Sequence, residues 1–199
     1  MNNTEKTLAY YNEKAADFVA GTVDVEFSEM QNDFLSFIKQ GGKILDLGCG
    51  SGRDSKMFIE SGYKVTAVDG SSELAKKASE YIGQDVICST FQDFVPEETY
   101  DGIWACASLL HLAPEDIKAE MNKLKGYLAK DGVFYVSFKY GDFSGERNGR
   151  FFTDYTEASF NELLKEIPGL EVARTYITSD VRPGRAAERW LNAYLVKRE

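Results

Sequence analysis

Apolar residues return every three or four positions across 7–20, at Leu8, Tyr11, Ala15, Phe18 and Val19, which predicts an amphipathic helix with an aromatic stripe. A second helical pattern starts near Ser28, with Met30, Phe34, Leu35 and Ile38 on its buried face and Ser28 and Gln31 placed as a capping box. Gly41 and Gly42 end it. Short apolar runs typical of buried strands follow at 43–47, 63–68, 85–89, 100–105 and 133–138. Between them lie helical patterns at 53–60, at 72–82 with Leu74, Ala78 and Tyr81 inward, and from Pro114 with Ile117, Met121, Leu124 and Leu128 along one face. Lys118, Lys123 and Lys125 fall on the opposite face of that last helix, which reads as solvated. Beyond Lys139 the character changes: 139–155 reads as a long loop with glycine, aromatic and basic residues. A helix from Thr156 buries Phe160, Leu163, Leu164 and Ile167, and 171–178 with 190–197 forms an antiparallel hairpin at a sheet edge. The sum is an α/β protein with a doubly wound, mainly parallel seven-stranded sheet, an antiparallel last strand and an N-terminal helical cap.

A chain of 199 residues with 43% hydrophobic positions fits one soluble globular domain with a substantial core. Its net charge of -9 disfavours a nucleic-acid partner, whose backbone needs clustered Lys and Arg. Cys49, Cys88 and Cys106 are odd in number and spaced for neither zinc nor a disulfide framework, so no metal is expected and the thiols read as reduced. No apolar run approaches the roughly 20 residues that cross a bilayer, and no signal core opens the chain. The expectation is a cytoplasmic monomer or homodimer without a membrane partner.

The stretch 44–54, ILDLGCGSGRD, changes the picture from fold to chemistry. A buried strand runs into a turn with glycines at alternate positions, Gly48, Gly50 and Gly52, which lets the chain turn sharply and a ligand approach closely. Asp46 lies inside the apolar run, where desolvation is costly unless a donor or cation meets it. It either accepts hydrogen bonds from the turn or faces a cationic ligand. The second strand ends in Asp69-Gly70-Ser71, the spacing at which a βαβ unit delivers a carboxylate to ribose hydroxyls. Ser71 is placed to cap the next helix. Arg53 stands where the dinucleotide fingerprint needs its third glycine, and Asp46 would repel a pyrophosphate.

ILDLGCGSGRDS at 44–55 and VTAVDGS at 65–71 resemble the opening motifs of class I S-adenosylmethionine-dependent methyltransferases. YDGIWACASLLHL at 100–112 and DGVFYVSFKYG at 131–141 resemble the fourth strand with its loop and the fifth strand of that family; within it, the tellurite-resistance-type small-molecule enzymes are the nearest match. The resemblance implies a Rossmann-like fold, S-adenosylmethionine as cofactor with S-adenosylhomocysteine as product, and a small-molecule methyl acceptor. It divides the single domain 1–199 into a cap at 1–42, a cofactor-binding core at 43–138, and substrate-side loops with the sheet edge at 139–199.

Cofactor contacts then fall on Asp46, Gly48, Gly50, Arg53, Asp69, Gly70 and Ser71. Arg53, at a helix N-terminus, either meets the methionine carboxylate or is solvated. Family members carry an acid at the adenine edge after the third strand; here alignment on Phe94 puts Thr90 at that position and alignment on the acid selects Asp93. The first register is adopted, with Phe91 and Gln92 at the adenine edge. Cys106 offers its backbone to the cofactor ammonium, and Tyr11 is either core packing or a lid contact.

In an open parallel sheet, ligands sit outside the carboxyl ends of the strands, which aims Cys106, Ser108, Leu109 and His111 at one crevice. His111, the only histidine, is either a base or substrate ligand, or a structural hydrogen-bonding group. Arg147, Arg150, Arg182, Arg185 and Arg189 concentrate in the two late connections, where they either pair with neighbouring acids or form an anion site. Lys139, Arg150, Tyr155 and Arg185 are the substrate candidates beside His111. The function so implied is in-line methyl transfer to a small, anionic molecule; the rivals are a non-catalytic binder of the same cofactor and a nicotinamide-dependent oxidoreductase.

Overall fold

The computed structural model describes residues 1–198. Strands β1 (Lys43–Leu47), β2 (Lys64–Asp69), β3 (Ile87–Cys88), β4 (Tyr100–Ala105) and β5 (Leu128–Lys139) are parallel. A hairpin, β6 (Ser144–Arg147) with β7 (Arg150–Thr153), stands apart as a small second sheet. β8 (Leu170–Ser179) and β9 (Arg189–Lys197) complete a main sheet of order β3-β2-β1-β4-β5-β9-β8, with β9 antiparallel to both neighbours. Strand order reverses between β1 and β4, so the crevice opens beyond their carboxyl ends.

Alternate strand residues supply the two cores. Leu45, Leu47, Ile103, Ala105, Phe134 and Val136 face α6 (Pro114–Lys125) and α7 (Glu157–Lys165). Ile44, Trp104, Val133 and Tyr135 face α3 (Ser28–Leu35) and α4 (Arg53–Glu60). Trp104 stacks on Tyr135 at 3.9 Å and takes Phe34 and Phe58 against its edges. Gly102 allows that close packing, since a Cβ there would lie 2.4 Å from Ile38.

Several sequence expectations are corrected. The predicted helix 7–20 is two, α1 (Asn3–Glu13) and α2 (Ala15–Ala20), broken at Lys14. Ser28 is the first helical residue rather than a cap, and the Gln31 amide donates to Asp54 at 2.7 Å instead of closing a capping box. Leu128 has left α6 and opens β5, where Asp131 at φ +60 lets the strand shift register against β4. In α5 (Ser72–Ile82) Ala75 is buried, while Tyr81 lies outside under the Lys56 ammonium, 4.1 Å from its ring centre. Lys123 is not merely solvated: its ammonium donates to the carbonyls of Phe91 at 2.6 Å and Phe94 at 3.0 Å, tying α6 to the loop after β3. The long loop 139–155 is mostly the β6–β7 hairpin, fastened to α1 by Phe151 N–H to Thr7 Oγ1 at 3.2 Å and by Lys6 to Glu146 at 2.8 Å. Among the described residues no helix is long and apolar enough to cross a membrane.

Candidate active site

The glycine turn after β1 follows from its dihedrals: Gly48, Gly50 and Gly52 sit at φ +79, +57 and +80, a region that favours glycine. Gly48 and Cys49 N–H groups both donate to Val68 O, at 2.8 and 3.0 Å, which pins the turn to the end of β2. The next residue, Asp69, receives Gly50 N–H on Oδ2 and Ser71 N–H on Oδ1, each at 2.8 Å. Burial raises its pKa, and those two donors oppose the rise. Each oxygen retains further acceptor capacity, and Asp69 lines the cavity. Ser71 is turned away; its hydroxyl accepts from Leu74 N–H at the start of α5 and donates to Asn12 Oδ1 at 2.7 Å.

Beneath the turn, Asp46 is buried and accepts from Ser55 Oγ at 2.6 Å. Burial, and next the Asp54 carboxylate, push Asp46 up to about 8. Asp54 gathers the hydrogen bonds of this region. It accepts from Arg53 Nε at 2.7 Å and Nη2 at 3.0 Å, from Trp104 Nε1 at 2.9 Å and from Gln31 Nε2 at 2.7 Å. Arg53 therefore lines the cavity with two of its donors already engaged, its guanidinium lying 4.6 Å over the Phe27 ring.

The cavity, of about 220 Å³, runs from this turn to the β8–β9 connection. Its roof is α1 and α2. Leu8 and Phe18 reach into the space that side chains at Gly70 and Gly50 would take, at 2.7 and 3.0 Å from the missing Cβ positions. Tyr11 descends to His111, which follows β4 on a single 3-10 turn, Leu109–His111. His111 Nδ1 lies 2.7 Å from Phe151 O, which can only accept, so Nδ1 carries the proton and Nε2 accepts the Tyr11 hydroxyl at 2.8 Å. Arg150 Nη1 donates to the same hydroxyl at 3.2 Å, and the Arg150 guanidinium lies 4.3 Å over Tyr10 and 5.0 Å over Phe152.

Residues 44–132 match a methyltransferase domain family. An uncharacterized methyltransferase of Staphylococcus carnosus is 28% identical over 114 residues, 57% of this chain and 54% of that protein. The ubiquinone biosynthesis O-methyltransferase of Actinobacillus pleuropneumoniae is 32% identical over 120 residues, 52% of this chain and 50% of that protein. The Burkholderia thailandensis 1,6-didemethyltoxoflavin-N1-methyltransferase, solved with 1,6-didemethyltoxoflavin and S-adenosylhomocysteine, superposes with a TM-score of 0.78 at 21% identity, covering 96% of this chain and 87% of that one. Residues 44–132 are thus similar to a methyltransferase domain, and the fold of the chain is that of the solved methyltransferase. The chain spans about half the length of the curated relatives it matches.

On this frame the predicted residues separate into two sets. Tyr11, Gly48, Gly50, Arg53, Asp69, Gly70, Phe91, Cys106, His111, Lys139, Arg150 and Arg185 line the cavity. Asp46, Ser71, Gln92 and Tyr155 do not: Asp46 lies under the turn, Ser71 caps α5, Gln92 is exposed, and Tyr155 packs between Phe138 and Phe160 in the core. Leu109 likewise points into the core, not the crevice. Burial, reinforced by Asp54, pushes the Cys106 thiol up to about 12, so it stays protonated. Sequence reasoning missed Asn12, whose Oδ1 accepts from Ser71 Oγ and Glu73 N–H at 3.2 Å and so clamps the roof onto α5.

Burial pulls His111 down to about 4, against the hydrogen bond to Phe151 O and with Arg150 adding to the fall. The unfolded chain binds a proton near 6.5 and the folded one only near 4, so stability is full above 6.5 and falls as pH drops toward 4. His111 alone should cost about 2 kcal/mol between pH 7 and pH 5. Urea unfolding of wild type and His111→Gln at both pH values should show the loss in the wild type only, once the slope common to both is subtracted.

Proposed function

We propose that the chain transfers a methyl group from S-adenosylmethionine to a small molecule carrying an anionic group. The observation that bears most weight is Asp69, held by two backbone donors at the carboxyl end of β2 beside a glycine turn, under a roof that leaves it 7% exposed. That geometry suits the ribose hydroxyls of the adenosyl group. Leu74 and Phe91 line the apolar walls for the base, and Arg53 with the turn's backbone suits the methionine end. The residues present therefore fit this cofactor. When bound, it supplies an electrophilic methyl on a sulfonium sulfur.

The chain's own part is positioning and exclusion of water. Leu8, Tyr11 and Phe18 close the roof, and a nucleophile held in line in a dry cleft needs little other assistance. For the acceptor, the cations divide sharply. Arg182 is paired with Asp180, whose carboxylate these hydrogen bonds hold at about 2 against the cost of burial. Lys139 and Arg185 share Glu188, and Arg53 is paired with Asp54. Among the described residues lining the cavity, Arg150 is the one cation without a carboxylate, and its buried Nε has no partner. The anion site is thus narrower than the arginine-rich connections suggested: Arg150 supports it, while Arg182 and Arg185 have local acids.

Titration calorimetry and thermal unfolding should show S-adenosylmethionine and S-adenosylhomocysteine binding and NAD without effect. With labelled cofactor and a panel of small carboxylic acids and oxyanions, Arg150→Ala should raise the KM of the methylated acceptor by roughly tenfold to a hundredfold, the worth of one charged hydrogen bond. Affinity for S-adenosylhomocysteine should fall less than that, since Arg150 reaches the roof only through the Tyr11 hydroxyl and the Tyr10 ring. Unchanged KM in the variant would remove the anionic acceptor from this reading.

A further inference from the structure

One polar group in the cavity is unexplained by anything above. Ser108 is 4% exposed, lines the cavity, and its Oγ has no hydrogen-bond partner among the described residues. It sits across from the glycine turn: a Cβ on Gly48 would lie 2.5 Å from Ser108 Cβ and 3.4 Å from the Phe91 ring. Its neighbour Ala107 is held at φ +50, a left-handed conformation that costs a non-glycine residue free energy. The Ala107 N–H donates to Ser137 Oγ on β5 at 2.8 Å, which fixes that strained turn. The chain therefore accepts two penalties, a strained residue and a desolvated hydroxyl, to hold one small polar side chain against the glycine turn.

We infer that Ser108 is a cofactor-contact residue, its hydroxyl hydrogen-bonding a polar atom of the adenosyl-methionine ligand laid on Gly48, and that Ser137 positions it through Ala107. The inference rests on the proposed cofactor and adds to it a residue outside the glycine turn and Asp69. It carries an unusual signature. A hydroxyl with a structural task stabilises the free protein, whereas a buried hydroxyl that waits for a ligand destabilises it until the ligand arrives.

The test is Ser108→Ala, studied by calorimetry with S-adenosylhomocysteine and by thermal unfolding without ligand. Affinity should fall roughly threefold to tenfold, one neutral hydrogen bond, while the ligand-free midpoint stays at or above that of the wild type. Ser137→Ala should instead lower both, because it also strands the Ala107 N–H. A Ser108→Ala variant that binds S-adenosylhomocysteine as well as the wild type, or one that loses affinity only alongside a lowered midpoint, overturns the role of Ser108. A wild type that does not bind S-adenosylhomocysteine overturns the cofactor reading itself, which separates the two failures.

Discussion

Asp69→Ala weakens S-adenosylhomocysteine binding by at least about a hundredfold, the largest loss expected from any single change in the cavity. Two hydroxyls on an ionised acceptor contribute roughly 1.5–3 kcal/mol each, so their joint removal falls in or above that range. The effect reaches past the ligand. Gly50 and Ser71 N–H groups lose their shared acceptor, which loosens the glycine turn and the start of α5 together. Asp69→Asn separates these effects. It keeps the size of the side chain, but its amide nitrogen must face one of the two N–H donors, so an intermediate loss is expected. Calorimetry on wild type and both variants, with far-ultraviolet circular dichroism to verify the fold, decides the matter; an Asp69→Ala protein binding within threefold of the wild type would exclude Asp69 as the ribose ligand.

Much of this was legible because local pattern and tertiary structure agree. The strands β1 and β4 and the helices α4 and α5 begin and end where apolar period, glycine and serine place them, and the spacing from Gly50 to Asp69 brings the two into a hydrogen bond at the cavity wall. What was not legible depends on partners far along the chain. The β6–β7 hairpin carries Gly145 and two arginines in short strands with little alternation and Gly149 in its turn, and it is held by α1 rather than by its own pattern. Lys123 reads as a solvated helix residue until the carbonyls of the 91–94 loop arrive beneath it. Tyr155 looks like a substrate aromatic in an arginine-rich segment, yet Phe138 and Phe160, on different elements, draw it into the core. Asp54 drew no expectation for the same reason, although donors from three elements converge on it, while Asp46 was singled out. An acid in a buried strand attracts attention, while an acid in the first turn of a helix passes as a partner of the helix dipole.

That convergence gives the second large effect, since Asp54→Ala should cost about 3–5 kcal/mol of stability, the usual loss when one partner of a buried ion pair is removed. For a domain of this size the thermal midpoint should fall on the order of 10 °C. The cause is the number of groups that converge on one carboxylate. Arg53 would remain largely buried with no counter-charge, and Trp104 Nε1 and Gln31 Nε2 would be left unpaired in the core. These donors come from α3, α4 and β4, so the carboxylate joins the glycine-turn helix to the centre of the sheet. Asp54→Asn removes the charge and one of the two acceptors: its single amide oxygen can serve either Gln31 and Arg53 Nε, which now meet Oδ1, or Trp104 and Arg53 Nη2, which now meet Oδ2. If the asparagine variant melts near the wild type, one uncharged acceptor is enough to hold this corner; if it melts near the alanine variant, the full carboxylate is required. Asp46 reports independently. After burial, Asp54 is the largest cause of its raised pKa, so Asp54→Ala should lower the pH at which Asp46 titrates, followed by carboxyl carbon NMR. An unshifted Asp46 would mean that burial alone sets its protonation, and that the two acids under the turn act separately.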